Sequence, residues 1–282
     1  MRYPSPLRYP GGKGKLGPWI KDIMRRNNIS GGVYLEPYAG GAGAGLFLLL
    51  NLFIDYLFIN DIDRRIFSFW YSILNYTEEF IDMIYLTPID IDTWLNMKEV
   101  LNNPSSDTFS LGFATFYVNR TSTSGILSAN PIGGINQDGQ WKIDARFNKD
   151  GLVNRIRNIA KFKSSIIVFN NDALSFMQSV ERSLPDKHLF FLDPPYYHKA
   201  NDLYTNHYSY NDHLEVAQQL KQTSSKWLLT YDDVEPIRQL YSWANGGELD
   251  VTYSASPRRR RRANEVYFHS QNLVVAPLIH TH

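Results

Sequence analysis

The chain has 282 residues, 43% of them hydrophobic and 20% charged, and no cysteine. That composition excludes wholesale disorder, and the missing thiol excludes a disulfide scaffold, a CxxC zinc site and cysteine nucleophilic chemistry. The 29 Lys and Arg against 28 Asp and Glu give a net charge of +1, which on its face argues against a polyanionic partner. Resolved along the chain, however, the charge runs +4 over residues 1–55, −6 over 56–116, +5 over 117–170, −6 over 171–255 and +4 over 256–282. Basic blocks that converge in space would give a neutral protein a cationic face; they also fit solvated surfaces that average out.

In chain order, the opening segment lacks the apolar run of a secretory signal. The apolar run 33–36 reads as a buried strand ending in Glu36. A glycine-rich turn (39–45), a helix (46–52) and a second strand (55–59) ending at Asn60-Asp61 complete a parallel βαβ unit. The most apolar stretch, 45–59, is broken by Asn51 and Asp55 and is shorter than the ~20 residues of a membrane span, so a soluble, cytoplasmic protein is expected. From residue 64 helical periodicity takes over (Ile66, Phe69, Trp70, Ile73). It passes into a polar stretch, 119–139, where Gly133-Gly134 and Asp138-Gly139 predict a hairpin, and a helix follows over 154–160. Strands resume at 166–169, 189–192 and 227–230, each running into an acidic residue at its carboxyl end, the ligand-binding edge of an open α/β sheet. The expected organisation is an α/β core, residues 1–63 plus 164–282, interrupted by an insert over 64–163.

Asp193-Pro194-Pro195-Tyr196 is the sharpest chemical signal. Two prolines cannot continue a strand and leave carbonyls with no N–H donors beside them. With a carboxylate before and an aromatic ring after, the loop suits a flat base bearing an exocyclic amine: Asp193 and the Pro194 carbonyl take its two N–H groups and Tyr196 stacks on its ring. A proline-stiffened loop with a packed tyrosine would read the same. Gly41-Ala42-Gly43 admits a ligand close to the backbone, and Asp61, 20 residues after Gly41, stands where a carboxylate binds ribose hydroxyls. That pattern alone also fits a nicotinamide dehydrogenase or a tight turn. Asp172, ending the following strand, could accept from an adenine amino group, although an acid of a plain surface turn looks the same. Arg8-Tyr9-Pro10-Gly11-Gly12-Lys13 is not a P-loop, but its Lys13 could hold a ligand carboxylate.

Taken in order, RYPGGKGKL, YLEPYAGGAGAG, INDID, NNDAL and LDPPYY resemble the DNA adenine-N6 methyltransferases of the Dam (D12) class. The resemblance implies a Rossmann-like core that binds S-adenosylmethionine (AdoMet). It also implies an inserted, mostly helical target-recognition domain carrying a hairpin, matching the interruption at 64–163. It implies AdoMet contacts from Tyr9 and Lys13, a turn under the methionine part from Glu36, Ala39 and Gly41, ribose binding by Asp61, and Asp172 beside the adenine. Asp193 would lie between cofactor and target base, with Pro194, Pro195 and Tyr196 completing the catalytic loop. The family often has Trp where Tyr9 stands, and the stretch after Arg120 lacks the recognition hairpin of the best-known members, so no target site carries over.

The expected reaction is direct in-line transfer to N6 of an adenine flipped from duplex DNA, without a covalent enzyme intermediate and without a metal. Candidate DNA contacts are Arg120, Arg146, Lys149, Arg259 and Arg260, with Lys142, Arg155 and Arg157 as further basic residues of the insert. The expected protein is a monomer, bacterial or phage-encoded. RNA or cytosine-N4 transfer, or a catalytically silent DNA-binding module, are the alternatives; cytosine-C5 transfer is excluded by the missing cysteine.

Overall fold

A computed structural model describes residues 4–9, 12–197, 208–253 and 261–276, with the backbone alone at 250–253 and 261–264. In chain order the elements are a 3-10 turn η1 (Lys13–Leu16), α1 (Gly17–Arg26), β1 (Gly32–Glu36), α2 (Gly43–Leu50) and β2 (Ile54–Asn60). Next come α3 (Arg64–Asn75), α4 (Thr77–Leu86), α5 (Ile91–Asn102), α6 (Thr108–Thr121) and α7 (Lys149–Ala160). The remainder is β3 (Ile166–Phe169), α8 (Ala173–Glu181), β4 (His188–Leu192), α9 (Tyr210–Gln222), β5 (Trp227–Asp232), α10 (Glu235–Leu240), β6 (Asn245–Tyr253) and β7 (Arg261–His269).

The seven strands form one sheet in the order β3-β2-β1-β4-β5-β7-β6. β1 to β5 are mutually parallel, while β7 runs antiparallel between β5 and β6. β1 and β5 are buried along their whole length, as continuous apolar runs covered on both faces must be. The strand order reverses between β1 and β4, paired through Leu35 and Phe190. Their carboxyl ends, Glu36 and Asp193, therefore flank the crevice where open α/β sheets bind ligands.

The segment 64–163 packs as part of the core. One hydrophobic cluster joins Leu16, Trp19 and Leu57 to Phe69, Trp70, Phe80, Phe113 and Phe116, and Phe69 stacks on Phe116 at 6.0 Å. The segment is helical, as expected, but the hairpin over 133–139 is corrected. Among the described residues of 64–163 there is one isolated bridge, Ser122 to Pro131, and no strand. Gly133, Gly134 and Gln137 all adopt positive φ, which coils the chain instead of extending it. The Gln137 side chain pins the coil, donating to the carbonyls of Ile132 (2.8 Å) and Gly134 (2.6 Å) and accepting from Ile143 N (2.8 Å). No helix among the described residues is long and apolar enough to cross a membrane.

Close approach of α3 and α6 depends on Gly112, where an added Cβ would lie 2.4 Å from the Ser68 carbonyl oxygen and 2.6 Å from Ser72 Oγ. Gly112→Ala is expected to destabilise the protein by about 1–3 kcal/mol, measured as a lower thermal midpoint; an unchanged midpoint would show that the two helices separate freely.

Candidate active site

A cavity of about 520 Å³ opens at the carboxyl ends of β1, β2 and β4, within the ~300–1,000 Å³ typical of small-molecule and cofactor sites. Of the expected cofactor residues, Tyr9, Lys13, Glu36, Ala39, Gly41, Asp61, Asp172 and Asp193 all line it. Arg120, Arg146 and Pro195 line it as well.

The turn after β1 is held from several sides. Gly40 has a φ of +47°, and a Cβ there would fall 2.6 Å from the Tyr9 ring, so only glycine fits. Its N–H donates to Asp61 Oδ2 (2.9 Å) and its carbonyl accepts from Trp70 Nε1 (2.9 Å). Buried Asn60 ties the neighbouring loops together, donating to the carbonyls of Pro37 (2.9 Å) and Asn171 (3.0 Å) and accepting from Asn171 N (3.0 Å). Glu36 Oε1 accepts from Gly45 N (2.7 Å) in the first turn of α2. Burial pushes Glu36 up to about 8, opposed by that hydrogen bond and reinforced by Asp193. Asp61 is likewise pushed up to about 7, mainly by loss of hydration. Asp172 stands at the N-terminus of α8. Its Oδ1 caps α8 by accepting from Leu174 N and Ser175 N, each at 3.0 Å, and the same side chain borders the cavity.

Asp193, 22% exposed, accepts from Thr230 Oγ1 at 2.7 Å and pairs with Lys13 Nζ at 3.3 Å. Both interactions engage Oδ1, so that among the described residues Oδ2 keeps its lone pairs for another donor. Burial raises its proton affinity, Lys13 lowers it and Glu265 raises it. The Lys13 ammonium is buried and points into the protein. It bonds Tyr196 Oη at 2.6 Å and lies 3.4 and 3.2 Å from the Glu265 oxygens. Tyr196 departs from the expected stacking position. Its side chain is buried in the second hydrophobic cluster, its ring 6.4 Å from Tyr231, and its hydroxyl is committed to Lys13. Pro194 is buried and Pro195 half-buried.

Four arginines, Arg8, Arg120, Arg146 and Arg155, stand on the cavity wall. Three of them donate to main-chain carbonyls: Arg8 to Ser122 (2.9 Å), Arg120 to Arg146 (2.8 Å) and Arg155 to Ser5 (3.0 Å). Among the described residues none of the four pairs with an acid. Burial and the charges of the other three push Arg120 down to about 9. Asn119 fixes Arg8 by bonding both its N–H (2.7 Å) and its carbonyl (2.8 Å). Lys149 is not brought to the cavity; its ammonium donates to the carbonyls of Tyr85 and Thr87 at the end of α4. Arg157 pairs with Glu78 at 3.1 Å, and Lys142 bonds the Gln137 carbonyl. Arg259 and Arg260 lie outside the described residues. Sequence reasoning passed over Asn60, Thr230, Arg8 and Glu265. For Asn60 and Arg8 a signal existed in their position beside the motifs; for Glu265 the basic run before it pointed elsewhere.

Compared with known proteins, the chain matches one family model, the D12 class N6 adenine-specific DNA methyltransferase, over residues 9–254. No curated protein matches it significantly.

A carboxyl held above its ordinary range binds its proton more tightly in the folded chain. The stability this gives is complete below the unfolded value and is lost as pH rises through the folded one. For Glu36 and Asp61 the loss runs through about 8 and about 7. The thermal midpoint of the ligand-free protein is therefore expected to fall from about pH 4 to about pH 8 and to level off above it, and Glu36→Gln to flatten that fall; an equally steep fall in the variant would remove Glu36 as its cause.

Proposed function

The chain belongs to the D12 class N6 adenine-specific DNA methyltransferases, and on that premise we propose that it transfers the AdoMet methyl group to N6 of an adenine turned out of duplex DNA into the cavity beside Asp193. The family membership makes it an enzyme acting on DNA adenine and sets aside RNA, cytosine-N4 transfer and a silent module. One observation carries the finer reading: Asp193 stands at the strand-order reversal with Oδ1 held by Thr230 and Lys13 and Oδ2 available to an incoming N–H.

The cavity residues fit the cofactor. Asp61 has one backbone donor on each oxygen, Gly40 N and Asp63 N, leaving lone pairs for ribose hydroxyls. Ile62 beside it is 54% exposed on the cavity wall, an apolar face suited to an adenine ring. The second oxygen of Asp172 is available to an amino group, and Glu36, Ala39, Gly41 and Tyr9 shape the turn beneath. AdoMet, when bound, supplies a methyl group activated by its sulfonium.

The residues of the chain then act by position and charge. Adenine N6 is a weak nucleophile because its lone pair is delocalised into the ring. Asp193 Oδ2 and the Pro194 carbonyl, each accepting one N6 hydrogen, favour a pyramidal nitrogen with its lone pair directed at the methyl; as the N6–methyl bond would replace the methyl–sulfur bond, the surplus N6 proton would leave to solvent by way of Asp193 Oδ2. Pro195 walls the site, and Tyr196 acts through Lys13. The segment 64–163 supplies the DNA grip. Arg8, Arg120, Arg146 and Arg155, paired with no acid among the described residues, take backbone phosphates at the cavity mouth, with Lys149, Arg259 and Arg260 as further phosphate contacts. A base must leave the stack to reach Asp193, at a cost of a few kcal/mol.

Tritiated AdoMet offered with duplex DNA, with RNA and with no acceptor tests the assignment: label is expected in adenine of duplex DNA alone. Asp193→Asn is expected to lower kcat by about 100-fold or more while AdoMet and DNA still bind; full activity in that variant would overturn the role of Asp193. Exposed Arg146, changed to Gln, is expected to reduce the slope of log affinity against log salt by about 1, and an unchanged slope would remove Arg146 from the phosphate contacts.

A further inference from the structure

Glu265 belongs to no part of the mechanism above, yet it lies among the most deeply buried charged groups of the protein, with a side-chain exposure of 1%. It stands on β7, in register with Asp232 at the end of β5 and with Leu249 of β6. Its carboxylate reaches the same Lys13 ammonium that pairs with Asp193, at 3.2 Å against 3.3 Å. The ammonium, itself 4% exposed, is shared about equally between one sealed carboxylate and one that faces the cavity.

An ammonium paired with Asp193 alone would neutralise it and weaken it as a hydrogen-bond acceptor. Drawn equally toward Glu265, the same ammonium fixes where Asp193 stands while leaving a net negative charge across the three groups. Of the two carboxylates, only Asp193 is open to the cavity. We propose that Glu265 is a positioning residue for methyl transfer: through Lys13 it sets the place of the Asp193 carboxylate and keeps it a strong acceptor for the target amine. The inference rests on the assignment of Asp193 as that acceptor.

The other charged and titratable groups around Asp193 leave this role to Glu265. Glu36 and Tyr34 of β1 interact with Asp193 through charge alone. Tyr196 is engaged by Lys13, and Asp232 accepts from Tyr197 N at 3.0 Å. Thr230 bonds Asp193 without charge.

Glu265→Gln keeps the shape and removes the charge. With duplex DNA and AdoMet saturating, kcat is expected to fall roughly 10- to 100-fold, with AdoMet and DNA affinities within about twofold of the unmodified protein. Because Glu265 raises the proton affinity of Asp193, its neutralisation is expected to move the acid limb of the kcat–pH profile to lower pH. A purely structural role would lower cofactor affinity or thermal midpoint without moving that limb, and this result would overturn the proposal. So would a variant with unchanged kcat and an unchanged limb. If Glu265→Gln does not fold, Glu265→Asp, which keeps the charge and withdraws it by one methylene, is expected to fold and lose part of kcat; full kcat there would overturn the proposal equally. Failure of the unmodified protein to methylate duplex adenine in the same assay would count against the functional reading itself, not against the role of Glu265 within it.

Discussion

The Lys13 ammonium, enclosed by Asp193, Glu265 and the Tyr196 hydroxyl, is the interaction on which the arrangement of the site depends. An ammonium buried alone would cost several kcal/mol, and so would either carboxylate; each is tolerable because the others are present. The contact joins residues far apart in sequence: the turn at residue 13, the loop after β4 and the middle of β7. The direction of β7 makes this possible. Running antiparallel beside β5, it brings Glu265 opposite Asp232 at the carboxyl edge of the parallel sheet, within reach of the ammonium that also pairs with Asp193. A parallel strand there would have presented its last residues to that edge instead.

The same economy appears at the glycine turn. Gly40 takes a left-handed conformation that presents its peptide to three groups of different origin: Tyr9, Asp61 and Trp70. None of the three is a sequence neighbour. The turn's shape is thus a property of the assembled core more than of its own glycines, and the raised proton affinities of Glu36 and Asp61 follow from how closely that assembly excludes water.

Much of this was legible in the sequence wherever the signal is local. The five parallel strands lie within a residue or two of the apolar runs that announced them, and β1 and β5 are buried throughout. The helix expected over 46–52 begins instead at Gly43, since Ala42 with φ +45° turns the chain directly into it. The helix expected over 154–160 starts at Lys149, capped by Asn148, a signal present in the sequence. Gly133-Gly134 marked a change of direction but not its kind, which Gln137 decides through its side chain. Glu265 was not legible at all. It follows a run of five arginines and reads as one more solvated charge, and its burial depends on the pairing of β7 with β5. The four arginines of the cavity wall were legible as charge but not as a cluster, because Arg8 reaches the others through Asn119, 111 residues away.

The bond from Trp70 to the Gly40 carbonyl bears on how such a protein can change over evolutionary time. α3 is the first helix of the segment proposed to grip DNA, yet its Trp70 holds the glycine turn after β1. The segment is therefore no cassette that can be exchanged whole. A transplant beginning at residue 64 would carry away the indole that holds the turn, whereas residues 135–142, between α6 and α7, are largely exposed and lie off the cavity wall. If the segment grips DNA as proposed, that exposed stretch is the part whose sequence can change with least effect on the turn.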